Sequence, residues 1–237
     1  MSISLTAHQL SMRFKDRGLF HIPALTLGPH EAVYLKGDNG VGKTTLLKIL
    51  AGLLKPTTGS VSHHRVWWQR LLGCRANQRI IYLHQTPYLF DDTVYRNIAY
   101  GLRFCTLSSQ EKRRHVIAAL RMVGLESLAN EHMSVLSGGE KQRVAMARAW
   151  ILNPAILLMD EPSASLDEES IARLVIMAND LLNRGCSLVI TSHQNNPLTE
   201  LCHKQWWIKE HQLFESPRLH VISPTTTENR NVTSISN

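Results

Sequence analysis

Gly37-Asp38-Asn39-Gly40-Val41-Gly42-Lys43-Thr44 is the stretch on which the reading of this chain turns. A glycine, four residues and then Gly-Lys-Thr is the spacing of a phosphate-binding loop. Its context agrees: residues 31–36 form a β-type run before it, and residues 44–54 after it carry apolar side chains at helical spacing. Glycines let successive backbone N–H groups curl around phosphate oxygens, and the helix start adds the positive end of its dipole. Lys43 is placed to reach the β and γ phosphates and the Thr44 hydroxyl to ligate magnesium, while Asp38, Asn39, Val41 and Thr45 complete the cradle. The competing reading is a glycine-rich turn with a surface lysine, which leaves the flanking strand and helix unexplained.

Outward from the loop, the strand-helix rhythm predicts an α/β layer with a parallel sheet. Pro56-Thr57-Thr58-Gly59 is a turn signal that closes the first helix, and strand-like stretches follow at residues 60–67 and 80–83. Residues 87–152 read as an all-helical insert. Within it Ser108 and Glu111 have capping-box spacing, Val116, Leu120 and Val123 share a face, and Gly124 is a stop. Residues 155–159 and 187–191 read as buried strands around a helix over 168–183 that Gly185 terminates. From about Ser216 the chain is rich in Ser, Thr and Asn without apolar periodicity, which predicts a flexible tail over 216–237. Asn231-Val232-Thr233 matches a glycosylation acceptor, read as chance because no secretory signal precedes it.

A chain of 237 residues with 43% hydrophobic content can bury a substantial core. Its long apolar runs, such as 155–159, fall far short of the roughly 20 residues that span a bilayer, so no membrane crossing and no export are expected. Cys74, Cys105, Cys186 and Cys202 lie far apart without metal-ligand spacing, which fits reduced thiols. The formal charge of +7 suits an anionic partner or a solvated surface. His63 and His64 beside Trp67 and Trp68 are read as packing and surface display, with no metal assigned.

Ile156-Leu157-Leu158-Met159-Asp160-Glu161 is an apolar strand ending in two acids, at the sheet edge where open α/β folds bind ligands. There Asp160 would hold magnesium through its water shell and Glu161 would activate the attacking water as general base. The plain alternative is an acidic turn or helix start after a buried strand.

Leu136-Ser137-Gly138-Gly139-Glu140-Lys141-Gln142-Arg143 resembles the signature sequence of the ATP-binding cassette (ABC) ATPases. Ser137, Gly138 and Gly139 open a helix whose N–H groups can face a γ-phosphate, with Glu140 in its first turn. Further elements follow the family's order: Gln85 resembles the Q-loop glutamine, Ala164-Ser165-Leu166-Asp167 the D-loop and His193 the switch histidine. Phe14, twenty-nine positions before Lys43, resembles the aromatic that stacks on adenine, although Phe20 lies nearby and a core phenylalanine is a competing explanation.

The resemblance implies a nucleotide-binding domain over residues 1–215, with a RecA-like P-loop α/β core, an antiparallel β subdomain and an inserted α-helical subdomain at about 87–152. It implies ATP and Mg2+ as ligands, and Glu161, His193, Lys43 and Gln85 as the catalytic set. Magnesium would be held by Thr44, Gln85 and Asp160. Phe14 and residues 37–45 would bind nucleotide, and Ser137, Gly138 and Gly139 would reach across to the nucleotide held by the other subunit, so that one chain completes neither site alone. The implied partners are a second ATPase subunit in a head-to-tail dimer, a transmembrane permease and an extracytoplasmic solute-binding protein, with no nucleic acid, at the cytoplasmic face of the membrane.

The segment from Tyr88-Leu89-Phe90 to Leu102 looks more like importer ATPases, particularly those for oxyanions such as tungstate, molybdate or phosphate. No regulatory domain of the kind some importers carry is expected beyond Trp207. A soluble ABC ATPase of nucleic-acid repair or translation, or an exporter subunit, are the alternatives. The single phosphate loop and the lack of a long coiled-coil insertion weigh against the repair class.

Overall fold

The computed structural model describes residues 3–65, 80–103, 105–164 and 166–218. Strands β1 (Ile3–Phe14), β2 (Arg17–Leu27) and β4 (Thr58–Arg65) form an antiparallel sheet in the order β2-β1-β4. The inward face of β1 changes phase along the strand, from Ile3, Leu5 and Ala7 to Leu10 and Met12. A bulge makes the change: Gln9 has φ 50°, and the β1–β4 register shifts between His8 and Ser11. Gly59, at φ 87°, faces the bulge, and a Cβ there would collide with the carbonyl oxygens of His8 and Gln9.

The second sheet has the order β5-β6-β7-β3-β8-β9. It comprises β3 (Ala32–Gly37), β5 (Ile80–Leu83), β6 (Ile156–Met159), β7 (Ser187–Thr191), β8 (Lys204–Lys209) and β9 (Gln212–Pro217), all parallel except the β8–β9 pair. Strands β6 and β7 are buried throughout, as a sheet covered on both faces requires. Their side chains divide between two apolar clusters. Ile156, Leu158 and Val189 join Leu5, Phe20, Leu35, Leu46 and Trp206 beneath the antiparallel sheet and α1 (Lys43–Leu50). Leu157, Met159, Leu188 and Ile190 join the helices on the other face, α2 (Val94–Ala99), α3 (Ser109–Val123), α4 (Gly138–Trp150) and α5 (Glu168–Asn183). A short α6 (Pro197–Glu200) follows β7.

Both expected capping residues act as such in α3: the Ser108 hydroxyl accepts the Glu111 N–H, and Glu111 accepts from the Ser108 N–H. The buried strands and α5 fall where the sequence placed them. Three expectations are corrected. Helix α1 ends at Leu50 instead of continuing to Leu54, because Gly52 takes a left-handed φ of 73° and the chain turns. In the expected helical stretch 87–152 the first helix begins at Val94, capped by Thr93, after a loop containing Pro87. The first residues of the tail expected from Ser216 instead continue β9: Ser216 pairs with Gln205, Pro217 with Lys204, and the Arg218 N–H donates to His203. Pro217 is tolerated because β9 is an edge strand. The side chains of His63 and His64, together with Trp67, Trp68, Cys74, Ser165 and residues 219–237, lie outside the described residues. Among the described residues, no helix is long and apolar enough to cross a membrane.

Candidate active site

Parallel strands bring their C-terminal ends to one edge of the sheet, where ligands of open α/β folds bind. The loop after β3 lies there. Gly42 is the N-cap of α1 at φ 110°, and a Cβ on it would stand 3.0 Å from the Phe20 ring, so only glycine lets the loop pass. Lys43 is buried and donates from Nζ to the carbonyls of Gly37 (2.7 Å) and Asp38 (3.1 Å). Arg17, the first residue of β2, donates through Nη2 to the Gly40 carbonyl at 3.2 Å. Inside the loop's mouth is a cavity of about 340 Å3, within the range of small-ligand sites.

That cavity is lined by Leu19, Asn39, Gly40, Gly42, Lys43, Thr44, Thr45, Gln85, Glu161 and His193. Residues scattered from position 19 to 193 are thereby gathered on one surface. Asp38 and Val41 line a smaller adjoining cavity of about 180 Å3 with Arg17 and His211, and Gly37 contributes through its carbonyl on Lys43.

The two acids after β6 have different surroundings. Asp160 is buried; its Oδ2 accepts the Tyr82 hydroxyl and its Oδ1 the Thr191 hydroxyl, each at 2.9 Å. Burial, reinforced by the bond to Asp160, holds the Tyr82 phenol above its ordinary pKa, so it stays a donor. Glu161 takes a left-handed φ of 50°, its N–H donating to Thr191 Oγ1 at 2.8 Å. Its carboxylate accepts from Gln85 Nε2 at 3.2 Å and lies 2.8 Å from His193 Nε2. Asn196 ties the neighbouring loops together by donating from Nδ2 to Ser163 (2.9 Å) and Ser192 (3.1 Å). The oxygen donors of Thr44, Gln85 and Asp160 suit a hard cation such as Mg2+, and each Asp160 oxygen keeps a lone pair beyond its one hydrogen bond.

Four of the residues expected to bind nucleotide line neither cavity of this chain. Phe14 ends β1 half exposed and lines neither cavity, whereas Phe20 is buried against Gly42. Ser137, Gly138 and Gly139 open α4 and likewise line neither cavity. Ser137 donates to Glu140 through its N–H (2.7 Å) and hydroxyl (2.8 Å), which holds the Glu140 carboxyl below its usual pKa. Sequence reading missed Arg17, Leu19, Tyr82 and Thr191, whose strand-type surroundings carry no local sign of a polar task.

A larger cavity of about 420 Å3 lies between β5 and α4, lined by Tyr82, Pro87, Tyr88, Tyr100, Arg148 and apolar neighbours. Its position and apolar walls separate it from the phosphate loop. Arg148 donates to the Tyr88 carbonyl at 2.7 Å and stacks 4.9 Å from the Phe90 ring centre.

A phosphate loop at a helix start, sharing its cavity with Glu161 at the C-terminal edge of a parallel sheet, defines a P-loop nucleotide hydrolase. The family profile described as ABC transporter matches residues 20–164, more than half of the chain, and the chain belongs to that family. It is an ATP-binding, ATP-hydrolysing subunit of an ABC transporter.

An ABC transporter ATP-binding protein of Pyrococcus horikoshii is 34% identical over 179 residues, covering 75% of this chain and 69% of that protein. The zinc import ATP-binding protein ZnuC of Vibrio vulnificus is 35% identical over 194 residues, covering 81% and 69%. The Fe(3+) ions import ATP-binding protein FbpC of Haemophilus influenzae is 32% identical over 232 residues, covering 94% of this chain and 66% of its own length. Among solved structures, cbiO1 of Clostridium perfringens, part of the ABC transporter complex cbiONQ, superposes with a TM-score of 0.74 at 25% identity, covering 90% and 88%. An ATP-binding subunit of an ABC transporter gives a TM-score of 0.76 at 24% identity and supports the fold.

Proposed function

We propose that this subunit hydrolyses Mg-ATP at the loop cavity to drive import of a small solute through a separate membrane permease. The observation that carries the reading is Glu161, whose carboxylate is held by Gln85 and His193 on the wall of the cavity that Lys43 also lines. Phosphoryl transfer needs positioning and charge stabilisation more than covalent chemistry. The phosphates take the loop N–H groups and the Lys43 ammonium, displacing its bonds to Gly37 and Asp38. Glu161 orients the attacking water and accepts its proton, while His193 and Gln85 hold that carboxylate in place. Thr44, Asp160 and Gln85 would hold a magnesium ion, which would neutralise part of the phosphate charge.

The α4 start lines neither cavity of its own chain, so Ser137, Gly138 and Gly139 serve the nucleotide of a second copy in a head-to-tail dimer. Half-exposed Phe14 is the adenine platform. The apolar groove beside Tyr88 and Tyr100 receives the permease at the cytoplasmic face, and a solute-binding protein delivers cargo from outside. The likeness of the segment 88–102 to oxyanion importers favours an oxyanion, whereas ZnuC and FbpC are named for zinc and Fe(3+) import. The test is ATPase activity of the chain alone, with DNA or RNA, and with its permease in lipid. Activity rises with the permease; stimulation by nucleic acid instead, lost on raising salt, would replace transport with a nucleic-acid role.

A further inference from the structure

We propose that Tyr82 is a positioning residue that orients the Asp160 carboxylate for the metal ion. The proposal rests on the reading above that Asp160 helps to hold magnesium. A buried carboxylate must find hydrogen-bond donors, and the direction from which they come fixes its plane. Asp160 follows β6, and the strands on either side of β6 each supply one hydroxyl: Tyr82 from β5 on Oδ2 and Thr191 from β7 on Oδ1.

The two donors are not equivalent. The Thr191 hydroxyl is also the acceptor of the Glu161 N–H, so its orientation is tied to the backbone of the neighbouring acid. Tyr82 is a rigid phenol with its ring edge-on to His84 at 4.7 Å, and its hydroxyl meets the carboxylate without that second duty to Glu161. Removing the Tyr82 oxygen alone leaves the strand, the ring and the Thr191 bond, and frees one side of the carboxylate to rotate. Partners that orient a metal-holding carboxylate typically account for tenfold or more in metal affinity. Were the hydroxyl only filling the metal's place, its removal would tighten metal binding.

The test compares the full chain with Tyr82→Phe and Asp160→Asn by manganese titration in the presence of ATP, reading free Mn2+ by electron paramagnetic resonance. ATP affinity in EDTA and the melting temperature are measured on the same samples. Tyr82→Phe is expected to weaken Mn2+ binding about tenfold with metal-free ATP affinity unchanged, a split that a purely structural role does not produce, and to lower the melting temperature modestly through the lost hydrogen bond to Asp160. Unchanged or tighter Mn2+ binding by Tyr82→Phe, alongside a loss in Asp160→Asn, overturns the positioning role and leaves the magnesium site standing. Unchanged Mn2+ binding by Asp160→Asn overturns the magnesium reading and the proposal with it.

Discussion

His193 presents Nε2 to Glu161 at 2.8 Å, joining the loop after β7 to the loop after β6 across thirty-two positions of sequence. Gln85, from the loop after β5, holds the other carboxylate oxygen at 3.2 Å. Three neighbouring strand ends thus converge on one carboxylate, which makes Glu161 the residue whose replacement separates binding from turnover.

Glu161→Gln is expected to retain ATP affinity while slowing phosphate release at least about a hundredfold, the scale for losing a positioned general base. The amide is nearly isosteric but cannot take the proton, so an ATP-bound dimer persists on size-exclusion chromatography with Mg-ATP. Adding Ser137→Arg blocks the approach of the α4 start to the second copy's nucleotide and abolishes that dimer. If the double variant dimerises as well as Glu161→Gln alone, the shared site is wrong.

Lys43→Ala removes the ammonium that faces the phosphate loop from a buried position. Most nucleotide binding is expected to go, because phosphate charge in a partly desolvated cradle is then uncompensated. Titration with a labelled ATP checks it, and an unaltered affinity in a folded variant would show that the loop does not hold the phosphates.

Gly59→Ala should destabilise the antiparallel sheet by more than about 2 kcal/mol, since the new Cβ meets the His8 and Gln9 carbonyls at a left-handed φ. Urea unfolding followed by circular dichroism measures this. Gly18→Ala is the matched control, because no atom stands within 4 Å of a Cβ there.

Cys186 and Cys202 are buried, and burial pushes both thiols up to about 12. The thiolate is the reactive form, so both should resist alkylation at pH 8 in the native chain and react once it is unfolded. Peptide mass spectrometry after timed iodoacetamide treatment reads each site; rapid native labelling of either thiol contradicts the packing around it.

The sequence by itself determined what short-range chemistry encodes. The phosphate loop, the Ser108 capping box and the buried strands β6 and β7 depend on residues a few positions apart, and the structure forms each of them. Only the tertiary structure decided which side chains meet. The order β5-β6-β7 sets Tyr82 and Thr191 on either side of Asp160, although 78 and 31 positions separate them from it. It buries Phe20 behind Gly42 and leaves Phe14 half exposed, a choice that two aromatics on alternating strands leave open. It also carries β9 through a polar segment, because an edge strand gains its hydrogen bonds from β8 and needs little apolar content of its own. Strand order and burial arise from contacts across long stretches of chain, and local residue patterns hold no record of them.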